Sequence, residues 1–322
     1  GQIWRVRYED RAPQPVMAWR ESAGEVHVAF DRPVPADWKP GTATIIAGPH
    51  TRAGDRFETM RPPYEVVKRQ QADGAQPVKI EGVSIAGTLL SLQHAPQADA
   101  TWLGINFADY ALQTDSSGVI AEWGGVTRRL PHIDLAVSRE LTKPSAHFPE
   151  IGAGELKLRT QLDLWQMLRP AVQRGARLDY EYAPERVTVT FASRTTPFEL
   201  THAGKQLKSS RGHVSHDASF SVTPQENRWL PIEITMEHSG DELPELTAYW
   251  STAEDPRQRA FPTRRFLMPW ARPAASSGSR LPARPEIQGG DWNKGKALYF
   301  SAKTSCSTCH QRDGEGEHIG PD

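Results

Sequence analysis

"EVHVAFDRPV" occupies residues 25–34. Val26, Val28 and Phe30 alternate with Glu25, His27 and Ala29, and the run ends at Pro33. A period of two places every second side chain on one face, the pattern of a strand with one side buried. Proline cannot donate to a sheet ladder, so the strand stops there. The same pattern recurs outward along the chain. "TATIIAGP" (42–49), "PVKIEGVSI" (77–85), "GTLLSLQHA" (87–95) and "ATWLGINF" (100–107) follow it, separated by turn residues at intervals of about ten. Such spacing predicts an antiparallel β-sandwich.

A second run of alternation begins past residue 150. "GELKLRTQLDL" (154–164) fits a strand or a helix. "RLDYEYAPERVTVTFAS" (177–193), "PFELTHAGKQL" (197–207), "ASFSVTPQENRWLPIEITMEH" (218–238) and "ELTAYWST" (245–252) fit strands and turns. The expected fold class is therefore mainly β, with two β-sandwich modules in series, over residues 13–142 and 143–272. The segment 125–141 reads as a connector holding a short strand or helix. Residues 273–288, rich in Pro, Ala, Ser and Arg, read as a linker.

Bulk composition agrees. The chain has 322 residues, with 25 glycines and 26 prolines, which favours strands and turns over long helices. Acids and bases nearly cancel, at a net charge of −1, and are interspersed. Neither a nucleic-acid surface nor a polybasic membrane patch is expected. No apolar run approaches the roughly 20 residues of a bilayer-spanning helix.

After the linker the period changes. In "GGDWNKGKALYFSAKT" (289–304), Asp291 is placed to cap a helix, and Trp292, Gly295, Leu298, Tyr299 and Ala302 fall on one face. Both cysteines of the chain follow, in "SCSTCH" (305–310). Cys306, Cys309 and His310 fit C-x-x-C-H, the attachment pattern of c-type haem. Two thiols three residues apart on a tight turn can add to the two vinyl groups of one porphyrin. The adjacent imidazole then lies under the iron. Chance placement of two cysteines and a histidine in this order is on the order of two in ten thousand for this composition. A zinc site would need two further ligands, of which His318 is one candidate. A thioredoxin-like redox pair would want a strand before the first cysteine and a helix starting at it.

Residues 290–322 resemble the first third of a class I cytochrome c domain, on Gly295, Tyr299 or Phe300, the C-x-x-C-H motif and Gly320-Pro321. The resemblance implies that Cys306 and Cys309 anchor covalent haem c and that His310 is the axial ligand of the iron. It also implies that the backbone carbonyl of Pro321 accepts the Nδ1–H of His310. "GQIWRVRYE", within residues 1–12, is similar to the last blade strand of a dehydrogenase-like β-propeller. The layout as a whole resembles large exported bacterial proteins in which such a propeller precedes sandwich modules and a C-terminal haem domain. In them the haem takes electrons from the linked dehydrogenase domain, a sugar or alcohol dehydrogenase using PQQ or haem, and passes them to a soluble or membrane-bound carrier. A periplasmic or exported location goes with that resemblance, and the chain reads as an internal fragment whose last 34 residues, 289–322, open the haem domain.

Residues 185–272 resemble a protective-antigen-type, lectin-like sandwich, on "NRWLPIEITMEHSGDELPELTAYWSTAEDPRQRAFPTRRFLMP" (227–269), and 25–34 an immunoglobulin-like strand. Carbohydrate is thereby a further partner, and a glycan-binding or adhesion scaffold carrying a haem domain is the alternative function. Sugar-binding members of that family hold calcium with an Asp-Asp pair. This stretch has only His216-Asp217. His213 and His216 read as a solvated loop, His132 and Asp134 as a structural hydrogen bond on a strand face, and Asp179, Glu181 and Glu185 as ordinary exposed charge.

Overall fold

A computed structural model of the chain describes residues 13–35, 43–48, 76–100, 102–107, 111–143, 148–168, 184–225, 228–240, 243–273, 291–311 and 315–317. The propeller-like segment 1–12, the linker apart from Pro273, His318 and Pro321 lie outside the described residues. The chain divides into two compact units, residues 1–167 with 185–275, and residues 168–184 with 276–322.

The first unit is mainly β, as the alternation predicts. Strands β1 (Pro15–Ser22), β2 (Glu25–Phe30), β3 (Thr44–Gly48), β4 (Gln76–Val78), β5 (Ile80–Ala86), β6 (Leu89–His94), β7 (Trp102–Asn106) and β8 (Ala111–Asp115) form two antiparallel sheets. Their orders are β1-β2-β6-β5 and β4-β3-β7-β8. Val26, Val28, Leu90 and Leu92 from one sheet meet Ile45, Leu103 and Ile105 from the other in one buried cluster. That interdigitation of two inner faces is the core of a sandwich.

Strands β9 (Val119–Trp123), β10 (Val126–Leu130), β11 (Gly154–Leu162), β12 (Val187–Ser193), β13 (Phe198–His202), β14 (Lys205–Lys208), β15 (Ser210–Arg211), β16 (His216–Val222), β17 (Leu230–His238), β18 (Leu246–Thr252), β19 (Arg259–Ala260) and β20 (Phe266–Leu267) follow. One sheet runs β10-β9-β11-β17-β13-β14, with β20 also on β11, and the other β15-β16-β12-β18-β19. The stacked rings of His202 and Phe220, 4.1 Å between centroids, join the two inner faces. The ambiguous stretch 154–164 is strand for its first nine residues, paired along its whole length with β17.

The division between the sandwiches differs from the boundary at 142 that spacing predicts. Leu156 to Arg159 of β11 pair with Trp123 to Ile120 of β9, so residues 119–130 belong to the second sandwich. Alternation shows that a segment is a strand, but the partner it joins depends on distant residues. A two-residue turn at Gly124 and Gly125, with φ of 52° and 81°, folds β10 back onto β9. Helix α1 (Leu135–Thr142) then follows, and His132 and Asp134 lie at its start rather than on a strand. Asp134 caps it by accepting from the Val137 N–H at 3.0 Å, while its own N–H donates to His132 Nδ1 at 2.9 Å.

Only Ser116, Ser117 and Gly118 separate β8 from β9. At Gly118, φ is +142°, and a Cβ would lie 2.9 Å from Met268 Sδ and 3.0 Å from the Leu130 carbonyl. Glycine is required there. Arg272 N–H donates to Ala98 O at 3.0 Å, and the Arg20 guanidinium lies 4.7 Å from the centre of the Trp270 ring. These contacts tie the two sandwiches directly.

Buried histidines make stability depend on pH. Burial holds the His94 and His132 imidazoles below the usual histidine range. His94 Nδ1 donates to Ala95 O at 2.8 Å, and its buried Nε2 has no hydrogen-bond partner among the described residues. A proton there would need an acceptor that the core lacks. In the folded state these groups take a proton less readily than in the unfolded state. Stability is therefore full above about pH 6.5 and falls as pH drops below it. The urea midpoint is expected to be lower at pH 5.0 than at pH 7.5, with a smaller difference in His94→Asn.

Candidate functional site

The segment holding both cysteines is built on α2 (Trp292–Tyr299), in the second unit. Asp291 caps it, its Oδ1 accepting from the Lys294 N–H at 3.0 Å. At the other end the Leu298 carbonyl, which no further helical turn satisfies, accepts from Ser301 Oγ at 2.7 Å and also from Thr304 Oγ1. Ser305 then takes the left-handed conformation, φ 52°. Its N–H donates to Ser301 O at 2.9 Å and its hydroxyl to Ala302 O at 3.0 Å, which offsets the strain of a non-glycine residue there.

That reversal starts a 3-10 turn over Cys306–Thr308. One acceptor organises it: the Cys306 carbonyl receives the Cys309 N–H at 3.2 Å and the His310 N–H at 3.0 Å. Cys306, Cys309 and His310 are thereby wound onto one turn. Both cysteines are free thiols, Cys306 half-buried and Cys309 exposed. Cys306 Sγ lies 3.8 Å from the Thr304 carbonyl and Cys309 Sγ 3.8 Å from the Thr308 hydroxyl. Neither contact is strong for sulfur, so both thiols are available for chemistry. His310 is exposed beside them.

Two residues hold this turn in place. Tyr299 donates its hydroxyl to the His310 carbonyl at 2.8 Å. The resemblance gives the aromatic at this position a packing role; here its polar end ties the helix to the histidine. On the other side Glu317 N–H donates to Ser307 O at 2.8 Å, and Gly316 crosses the turn with φ +104°. A Cβ on Gly316 would lie 2.5 Å from the His310 carbonyl and 3.1 Å from that of Ser307. Gly316→Ala is expected to break the crossing and expose the Glu317 amide, raising its hydrogen-exchange rate about tenfold or more. The sequence around Gly316 carries no sign of this contact, because the approach of backbone to backbone leaves no side-chain pattern.

The donor set is compatible with covalent haem, and His318, the further zinc candidate, lies outside the described residues. Among the described residues, no group of three or more His, Cys, Asp or Glu side chains could hold a metal ion. A redox pair of thioredoxin type would place Cys306 at the start of a helix, whereas here it opens a three-residue turn after one. Two uncommitted thiols, spaced by two residues on one turn with an imidazole next to them, fit two thioether bonds and one axial nitrogen. Around them no described residue from 291 to 311 is buried, and a Cβ on Gly295 would meet nothing within 4 Å. Leu298 is 49% exposed.

Elsewhere the sequence candidates have structural roles. His213 lies in the β15–β16 turn and His216 opens β16, beside Asp217, whose Oδ1 accepts from Ser215 Oγ at 2.7 Å. Glu185 accepts from the Met167 N–H at 3.0 Å. Asp179 and Glu181 lie outside the described residues.

No protein-family model matches the chain, and no curated protein does. Solved structures similar to it include an anti-sigma factor domain-containing protein, with 10% identity, TM-score 0.31, 82% of this chain and 93% of that one. A second such protein, from Clostridium clariflavum, has 8% identity and TM-score 0.29, over 76% of this chain and 84% of that one. The PA14 sugar-binding domain from an RTX adhesin has 9% identity and TM-score 0.25, over 70% and 98%. Scores this low carry no conclusion about activity or ligand.

Proposed function

We propose that the chain binds haem c covalently and relays electrons one at a time, as part of a larger exported dehydrogenase-like protein. One observation carries this reading: Cys306, Cys309 and His310 lie on one exposed turn, closed on the Cys306 carbonyl, with both sulfurs uncommitted. Cys306 and Cys309 would form the two thioether anchors. His310 would supply the axial nitrogen, and Tyr299 would hold the histidine's backbone while the imidazole is engaged. The Pro321 carbonyl would accept the Nδ1–H of His310, fixing the tautomer and raising the basicity of Nε2. Haem bound there supplies a one-electron iron couple whose potential the surrounding residues set. The open apolar face of α2, with Gly295 and Leu298, offers a surface on which a flat macrocycle or further chain can pack.

The partners that go with this reading are an upstream dehydrogenase domain as electron donor and a soluble or membrane-bound carrier as acceptor. Haem attachment of this kind belongs outside the bacterial cytoplasm, so the periplasm or the exterior is the proposed location. Among the described residues no helix is long and apolar enough to cross a membrane. The test is expression of the chain, extended by the gene's own downstream sequence, together with haem-attachment machinery. A c-type pyridine haemochrome spectrum that survives acid-acetone extraction supports the reading. A colourless protein that binds zinc through Cys306 and Cys309 overturns it.

A further inference from the structure

The links between the sandwiches differ in kind. At Ser116–Gly118 the chain passes directly from β8 to β9 and is gripped by the β20 segment. Met268 N–H donates to Ser116 O at 2.8 Å, and Gly118 N–H to Phe266 O at 2.9 Å. These bonds are backbone to backbone and involve no titratable group. The other link is a loop of the first sandwich, residues 95–100, against residues 270–272 of the second.

That loop is held through its carbonyls, and the donors come from three directions. His94, at the end of β6, gives its Nδ1–H to Ala95 O at 2.8 Å. Arg20, on β1, gives one guanidinium nitrogen to Gln97 O at 2.5 Å and another to Ala100 O. From the second sandwich, Arg272 N–H donates to Ala98 O at 3.0 Å, and the Trp270 ring covers the Arg20 guanidinium at 4.7 Å. Ala95, Pro96 and Asp99 are exposed, so the loop is free to move without opening either core.

His94 is the member of this set that changes charge near neutral pH. It is 4% exposed, and its Nε2 has no partner among the described residues. The charges acting on the ring are Arg20 from β1, Glu25 from β2 and Glu81 from β5. Glu25 is engaged by His27, whose Nε2 lies 3.1 Å from its Oε1, and Glu81 is exposed. A proton on Nε2 would therefore create a second buried cation near Arg20 with no acceptor. The ring gains one by turning outward, toward Glu81 or water, and that movement breaks its bond to Ala95 O.

We propose that His94 and loop 95–100 form a proton-operated latch between the two sandwiches. Protonation of His94 frees the loop, its carbonyls leave Arg20 and Arg272, and the sandwiches pivot about Ser116–Gly118, each keeping its own core. Burial makes the docked ring a weaker base than the released one, so acid favours release. The latch is closed above about pH 6.5 and opens below it. This is distinct from a general loss of stability, because one contact opens ahead of either core. The other buried histidine with a lowered affinity for protons, His132, lies at the start of α1, its Nδ1 accepting from the Asp134 N–H, and makes no bond to the loop. The proposal is independent of the haem reading.

Hydrogen exchange of the full 322-residue chain, read by NMR at pH 5.0 and 7.5 and corrected for the intrinsic rate at each pH, tests it. At pH 5.0 the amides of Arg272 and of Gln97, which donates to Ala23 O at 2.7 Å, should each lose protection about tenfold or more. The Gly118 amide and those of β2 and β12 should keep theirs within about twofold. The midpoint of the Arg272 change should coincide with the titration of the His94 ring. His94→Asn, whose side-chain amide still donates to Ala95 O but takes no proton, should keep Arg272 protected at pH 5.0. His132→Asn should open as the unaltered chain does. Circular dichroism at both pH values checks that each variant is folded. Equal protection of Arg272 at the two pH values, or a midpoint apart from that of His94, overturns the proposal. So does a loss that persists in His94→Asn, or one shared by the amides of β2 and β12, which would be unfolding rather than release.

Discussion

Changing Cys306 and Cys309 together to alanine is expected to remove all haem that resists acid-acetone extraction, a complete loss from a protein otherwise folded as before. The expectation follows from the turn itself. Backbone hydrogen bonds to the Cys306 carbonyl shape it, and they survive truncation of either side chain. Among the described residues each sulfur's hydrogen bond is a long one, 3.8 Å to an oxygen, so little of the turn's shape rests on it. Single variants should separate the two anchors. Cys309→Ala or Cys306→Ala leaves one thioether, and one unsaturated vinyl shifts the haemochrome band to longer wavelength. His310→Ala should allow attachment yet lose the low-spin signature, because the thioethers do not depend on the axial nitrogen. A zinc site would respond differently: all three substitutions would lower zinc content together and none would change a visible spectrum.

How much of this was legible in the sequence varies by physical cause. Val187 to Ser193 is a strand on alternation alone, and its inward residues Val187, Val189 and Phe191 are fully buried. The C-x-x-C-H spacing likewise needs nothing beyond the chain, because the turn is local. Non-local choices were not legible. "VIAEWGGVTRRL" (119–130) alternates equally well for either sandwich, and only its pairing with β11 decides. Arg20 shows the same limit. On alternation it points inward beside Val26, where an arginine is not expected, and its acceptors lie about 80 residues away on the chain. Tyr299 was legible as an aromatic of the helix face, whereas the bond from its hydroxyl to His310 depends on how the chain returns after Ser305.

Arg20→Ala is expected to destabilise the first unit by about 3 kcal/mol and to split its unfolding into two steps. Arg20 is fully buried, and burial lowers its guanidinium to about 10, with Asp115 opposing the shift. The charge is thus costly to bury, yet its donors go to the carbonyls of Ala100 and Gln97. Truncation relieves the cost of the charge but takes the guanidinium donors from the part-buried carbonyls of Ala100 and Gln97, of which Gln97 O keeps the Ala100 N–H at 3.2 Å, a penalty of about 1–3 kcal/mol for a lost partner. It also removes the cation lying over Trp270, one of the contacts by which the second sandwich grips the first. With three residues between β8 and β9, the intact sandwiches should unfold in a single urea transition that is the same by tryptophan fluorescence and by circular dichroism. In Arg20→Ala the two signals should part. Arg20→Lys should recover less than half of the loss, because a single ammonium on a flexible stem cannot serve both carbonyls and cover the indole in one planar arrangement. Coincident transitions in Arg20→Ala, with a loss under about 1 kcal/mol, would show that the backbone links at Gly118 and Arg272 alone hold the two sandwiches together.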